Sequence, residues 1–247
     1  MPRAAGDNHP IASPISIMTD TAVDPRIALT RSAEALHLAL TESQAGALMD
    51  YLNLIQKWNK VYNLTAVRDP ANMVTHHLLD SLAVIAPLRR QLAVAQDGST
   101  GKAPVRFLDV GSGAGLPGVV IAICCPDLDV TCVDTVAKKA AFIQQVAASL
   151  RLPNLHGLHA RVESLSGPFD VICSRAFASL ADFVNWSRAA LGDGGCWLAM
   201  KGRHPDQEIA ALPEGISVFH VEQLQVPDLH AERCVIWMRE TPVSGHR

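Results

Sequence analysis

Between Val105 and Gly118 the chain reads VRFLDVGSGAGLPG, and this stretch restricts the possible folds more than any other. Val105, Phe107, Leu108 and Val110 form a short apolar run with strand propensity that stops abruptly at glycine. Gly111, Gly113, Gly115 and Gly118 follow within eight positions. That density of glycine implies backbone at positive φ, or backbone that a ligand must approach closely. Pro117 stands at the start of the next apolar segment, where proline suits the first turn of a helix. The expected unit is strand, glycine loop and helix, a cradle for a nucleotide-like ligand at the carboxyl end of the first strand of an α/β sheet. The motif fits two ligands. Gly113 to Gly118 satisfies the G-x-G-x-x-G pattern of dinucleotide sites, and Asp109 with Gly111, Gly113 and Gly115 satisfies the D-x-G-x-G-x-G loop that holds S-adenosylmethionine. A pyrophosphate wants free N–H groups at the helix start, and Pro117 removes one, which leans toward S-adenosylmethionine. The chain is also short for a second mononucleotide-binding half and a substrate domain.

A chain of 247 residues, 49% of them hydrophobic, can bury the core of one α/β domain and a modest helical addition. The six cysteines lie mostly in apolar runs and none forms a C-x-x-C pair, so they read as reduced core residues and not as a metal or disulfide framework. No apolar run is long enough to span a bilayer, and Pro10 and Pro14 interrupt the N-terminal apolar stretch, so a soluble cytoplasmic protein is expected. A net charge of −3 argues against a generally sticky nucleic-acid binder but leaves room for local basic patches.

Residues 1–28 lack periodicity and read as a disordered extension. A helical segment over 29–95 follows. Thr41-Glu-Ser-Gln44 is a capping box, with Ala45, Leu48, Met49, Leu52 and Ile55 at helical spacing behind it. Periodicity then fails in KWNKVYNLTAVRD, and Asp69-Pro70 opens a further helix whose buried stripe is Val74, Leu78, Leu82 and Ile85. Gln96 to Pro104 has the composition of a linker to a second domain over 104–247. There, strands are expected at Asp129–Asp134, Leu155–Ala160, Phe169–Ser174 and Cys196–Met200, with helices at Ala137–Arg151 and Leu180–Leu191, the latter ended by Gly192. A short helix near Pro205–Leu212 and a hairpin of Val218–Val226 with Cys234–Arg239 complete a mostly parallel sheet with one antiparallel strand.

Several positions carry candidate chemistry. Asp134 ends the second strand, where an acidic residue accepts both ribose hydroxyls, or caps the next helix. Arg161-Val162-Glu163 follows the third strand and either reads an adenine edge or is a solvated charge pair. Arg175, after the fourth strand, either orients a methyl acceptor or a phosphate, or is an ordinary surface arginine. No Asn/Asp-Pro-Pro-aromatic motif for amine methylation and no Pro-Cys pair for pyrimidine carbon methylation occurs there. A ring nitrogen with a free lone pair fits better. His76, His77 and Asp80 have near-helical spacing but form a poor metal set, so a helix face packed near the substrate is preferred. Lys57, Lys60 and Arg68, interleaved with Trp58 and Tyr62, read as a phosphate-and-stacking surface or as solvated lysines over core aromatics. Lys201 and Arg203 close the fifth strand at the same sheet edge.

Six segments in order, KWNKVYNLTAVRD, HHLLDSL, FLDVGSGAGLPG, ARVESL, CSRAFASL and AMKGR, resemble the RsmG (GidB) family of bacterial methyltransferases over roughly Leu36 to Met238. The resemblance implies a Rossmann-like class I methyltransferase fold with a seven-stranded sheet and an N-terminal helical addition. It also implies transfer of methyl from S-adenosylmethionine to guanine N7 in 16S ribosomal RNA, naked or within an assembling 30S particle. Gly111, Leu116, Val162, Glu163 and Arg175 match the family's cofactor contacts, and Arg175 is the residue expected to carry catalysis. The expected RNA contacts are Lys57, Lys60, Arg68, His77, Lys201 and Arg203. No metal and no membrane are expected, and the chain is expected to be a monomer. A cofactor-binding regulator without catalysis and an NAD-dependent oxidoreductase are the competing readings.

Overall fold

The computed structural model describes residues 25–96, 103–176 and 178–241. The expected extension up to residue 24, most of the linker and Phe177 of the CSRAFASL segment lie outside the described residues. The described residues begin with α1 (Pro25–Ala35), so the expected boundary at residue 28 falls inside a helix. Next comes α2 (Glu42–Tyr62), where the Thr41–Gln44 box forms as written, the Gln44 N–H donating to Thr41 Oγ1 at 3.2 Å and Thr41 N–H to Gln44 Oε1 at 3.0 Å. Helix α2 does not stop at Lys57 as its loss of periodicity suggests. It continues to Tyr62 because Trp58 packs on Phe142 of the sheet's helical layer, at 5.3 Å between ring centroids, and Asn63 then ends it at φ 50°. After α3 (Pro70–Met73), a single π-helical stretch (Val74–Leu79) leads through α4 (Asp80–Leu82) to α5 (Ile85–Gln96).

The α/β layer alternates β1 (Val105–Val110), α6 (Gly118–Cys124), β2 (Leu128–Asp134), α7 (Ala137–Leu150), β3 (Leu155–His159), β4 (Phe169–Arg175), α8 (Leu180–Ser187), β5 (Leu191–Lys201), α9 (Asp206–Ala210), β6 (Ile216–Leu224) and β7 (Arg233–Glu240). Strand order is β3-β2-β1-β4-β5-β7-β6, with β7 antiparallel to both neighbours, which is the expected seven-stranded arrangement. Gly192, Gly194 and Gly195 lie within β5, not in the expected loop after a helix. The helical segment ends earlier, at Ala190, and β5 enters the sheet through a register shift opposite Phe169 and Val171.

Alternation along the strands assigns the two faces. Phe107 joins the core under α2, α6 and α7, whereas Leu108 and Val110 join the core under α8. The N-terminal helices add Leu48, Tyr51 and Ile55 to the first of these cores, beside Val119, Phe142 and Ile143. The helical segment and the sheet thus share one apolar interior. All six cysteines are free thiols, five of them buried. Strand order reverses between β1 and β4, so a crevice opens at their carboxyl ends.

Candidate active site

The loop after β1 lies at that reversal. Gly111, Gly113 and Gly115 take φ of 66°, 60° and 91°, as the glycine spacing requires. Gly118 is needed for close packing, since a Cβ there would meet Asp109 Oδ2 at 2.8 Å. The start of α6 has no open anion seat. The Gly118 N–H donates to Asp109 Oδ2 at 2.9 Å and the Val119 N–H to Gly115 O at 2.8 Å. A pyrophosphate would find the first two donors of this helix already engaged.

Asp109 therefore acts beneath the loop, not in the cleft. Its side chain faces the α6 layer, is fully buried and lies in register with Cys132 and Cys173 on the flanking strands. This corrects the expectation that it contacts the cofactor. Burial pushes its carboxyl up to about 7, with Asp134 adding to the rise and the Gly118 N–H and Arg175 opposing it; Oδ1 has no hydrogen-bond partner.

Two cavities meet at Gly111. The smaller, about 330 Å³, is walled by Val133, Val136 and Val162 and rimmed by Lys139, Glu163 and Trp186. Asp134 sits on its floor. Its Oδ1 accepts the Val136 N–H at 2.8 Å, and its Oδ2 accepts the Gly113 N–H at 3.0 Å with Lys139 Nζ at 3.6 Å. Val136, not Asp134, is the residue that precedes the first turn of α7. Both carboxylate oxygens keep a further lone pair for a ribose diol. Val162 and Glu163 open a tight 3₁₀ turn, and Glu163 pairs with Arg161 at 3.2 Å.

The larger cavity, about 520 Å³, runs from Gly111, Ser112, Gly113 and Leu116 to Arg175, Lys201 and Arg233. At its base lies a cluster that joins Asp80 and Arg175, both singled out above, to Arg233, which the sequence did not single out. Asp80, 4% exposed, accepts Arg175 Nη1 through Oδ2 at 2.8 Å and Arg233 Nε through Oδ1 at 2.7 Å, while Arg175 Nη1 also donates to His76 O at 3.1 Å. One carboxylate between two guanidiniums leaves a net positive charge facing the cavity. Arg233 lies in a strand of apolar residues and gives no local signal. Asp80 has one, its position one turn after His76 on the helix face expected to pack near the substrate, and that face does pack against Arg175. Among the described residues no group of three His, Cys, Asp or Glu is placed to hold an ion.

His77 is buried, with Nε2 at 3.0 Å from Thr65 Oγ1 and Nδ1 without a partner. Burial, aided by the Arg175 charge, pulls its pKa down to about 4. Enclosed and without charge to offer a phosphate, the imidazole takes a place in the wall of the larger cavity and not on the exposed surface expected for an RNA contact. Lys201 is partly enclosed too, donating to Ala178 O at 2.9 Å and Glu208 Oε2 at 2.8 Å. Lys57, Lys60, Arg68 and Arg203 are exposed. Trp58 is half-buried and belongs to the core, whereas Tyr62, at 5.0 Å from it, stays exposed.

From the helical addition, Tyr51 reaches the loop, its hydroxyl donating to Ala114 O at 2.6 Å. Gln44 Nε2 donates to Ile123 O and Cys124 O at the far end of α6. Among the described residues no helix is long and apolar enough to cross a membrane.

This architecture is shared with solved structures. Magnesium protoporphyrin IX methyltransferase (ChlM) from Synechocystis PCC 6803, solved with bound SAM, superposes at a TM-score of 0.53 with 12% identity, over 77% of this chain and 98% of that one. TrmN from Thermus thermophilus superposes at 0.51 with 20% identity, over 65% and 49%. At these identities the likeness is one of fold. Sequence relatives are much nearer. A protein of Acidovorax sp. (strain JS42) named ribosomal RNA small subunit methyltransferase G is 64% identical over 225 residues, 91% of this chain and 99% of its own length. One of the same name from Paracidovorax citrulli is 67% identical over 214 residues, 85% of this chain and 88% of its own. The family model described as rRNA small subunit methyltransferase G (GidB) matches residues 44–236, a span that includes α2, the glycine loop, Asp134, Arg175 and Arg233. A match that runs unbroken through the helical addition and both cavities makes this chain a member of the rRNA small subunit methyltransferase G family.

Proposed function

We propose that this chain transfers the methyl group of S-adenosylmethionine to N7 of a guanine in 16S ribosomal RNA. The observation that carries the proposal is the pair of cavities joined at Gly111, one shaped for a nucleoside and the other ending at Arg175. The residues fit the cofactor. Asp134 offers its carboxylate to a ribose, Val133, Val136 and Val162 line an apolar slot for a base, and Gly111, Gly113 and Leu116 border the passage into the larger cavity. The closed start of α6 disfavours a dinucleotide.

S-adenosylmethionine supplies a methyl group already activated by a positively charged sulfur. Guanine N7 carries an in-plane lone pair, so no general base is required. The side chains agree with this. His77 is neutral and hydrogen-bonded to Thr65, and the Cys173 thiol is buried with its pKa pushed well up, which removes a cysteine nucleophile. What the chain provides is in-line placement, an effect that can lower a barrier by about 7–11 kcal/mol. Arg175, held by Asp80, orients the acceptor or a phosphate beside it, and Lys201 stands at the rim. Lys57, Lys60, Arg68 and Arg203 supply exposed cations for RNA phosphates. The A-form major groove is too narrow to admit a protein to N7, which favours a looped or flipped base in naked RNA or an assembling 30S particle. We place the work of this chain in the cytoplasm, with the region over 104–247 as the methyltransferase domain.

The test is transfer of labelled methyl to small-subunit RNA and immature 30S particles, with N7-methylguanosine mapped in the product. Arg175→Ala is expected to reduce transfer at least about a hundredfold while circular dichroism stays unchanged. Cofactor binding without N7 methylation of either substrate would instead indicate a regulator. Thermal stabilisation by NAD but not by S-adenosylmethionine would indicate an oxidoreductase.

A further inference from the structure

The smaller cavity carries one aromatic side chain that neither the motifs nor the proposed chemistry uses. Trp186, on α8, lines this cavity together with Val136, Val162 and Glu163, and keeps 40% of its surface exposed. The other tryptophans are placed differently: Trp197 and Trp237 are at most 1% exposed, and Trp58 packs into the core. Helix α8 is fixed from behind by Leu180, Phe183 and Val184, all buried, so Trp186 is presented from a rigid element. The slot it borders is lined by Val133, Val136 and Val162, by the Asp134 carboxylate and by this indole, a mix of apolar and polar groups that suits a planar heteroaromatic ring.

We propose that Trp186 forms one face of the adenine site, stacking on the base of S-adenosylmethionine while Val136 and Val162 enclose the rest. This rests on the cofactor reading above, with adenine in the smaller cavity and methionine in the larger, and adds to it a residue. Stacking on an indole tolerates any π-face, so it adds affinity while Asp134 and the Val162–Glu163 backbone supply selectivity.

The experiment uses the full chain and S-adenosylhomocysteine, followed by tryptophan emission and by calorimetry. Binding is expected to quench the wild type, and adenosine alone to quench it while methionine does not. Trp186→Phe is expected to bind within a few-fold of wild type with the quench largely gone. Trp186→Ala is expected to bind about tenfold more weakly, with KM for the methyl donor raised and kcat at saturation retained. An undiminished quench in Trp186→Phe, binding of Trp186→Ala within twofold of wild type, or quenching by methionine and not adenosine would overturn the assignment and leave the cofactor reading intact. Absence of S-adenosylhomocysteine binding to the wild type would overturn both.

Discussion

Asp109 and His77 face the same interior from opposite sides of neutrality. Asp109 has a folded pKa of about 7 against an ordinary value of 3.8, so as pH rises between these the unfolded chain loses a proton that the folded chain keeps, and stability falls. His77 has a folded pKa of about 4 against 6.5, so over that interval the unfolded chain holds the extra proton and stability rises with pH. Each slope is at most about 1.4 kcal/mol per pH unit, and between about pH 4 and 6.5 the two oppose each other. Denaturant titrations are expected to show little pH dependence from this pair in the wild type. His77→Gln is expected to lose stability as pH rises through this window, and Asp109→Asn to gain it. Parallel curves for the wild type and both variants would refute the assignment. Neither residue acts as the sequence suggests. The loop pattern puts Asp109 with the cofactor, but the strand's alternation turns it into the core. His77 resembles a basic contact until its burial is known. Asp134 fares differently, because a carboxylate at the end of a second parallel strand is placed by topology alone.

At the scale of elements, two helices do work that no local pattern announces. The single π turn at Val74–Leu79 adds one residue per turn, bringing the His76 carbonyl and the Asp80 carboxylate onto Arg175 and the imidazole of His77 into the cavity wall. Composition does not forecast it, since the stretch reads as ordinary helix. Helix α2 is legible at its start, where the capping box is a local device, and illegible at its end, where contact with α7 extends it. Its central residue is Tyr51, whose hydroxyl holds the cofactor loop through Ala114 O. Tyr51→Phe leaves that buried carbonyl without its donor, a loss of about 1–3 kcal/mol. It is expected to lower the denaturation midpoint and weaken S-adenosylhomocysteine binding several-fold while leaving kcat at saturating cofactor close to wild type. Unchanged binding would show that the loop does not depend on α2.

For the whole molecule, the helical addition and the sheet share one core instead of meeting across a linker interface. Removing residues 25–62 would expose Val119, Ile123, Phe142 and Ile143, so the remaining chain is expected to aggregate or bind hydrophobic dye, not to survive as a stable domain. A truncated chain with a cooperative thermal transition and wild-type cofactor affinity would contradict this. The order of elements, the strand–glycine loop–helix unit, the seven strands and a carboxylate at the end of β2 were all written in the sequence, because periodicity, capping and glycine conformation are short-range effects. Which face each strand residue takes, where α2 ends, and that Asp80 joins Arg175 to Arg233 across 153 positions were decided only on folding. Burial and pairing of charge depend on neighbours distant in the chain, and those neighbours exist only once the sheet has closed on its helices.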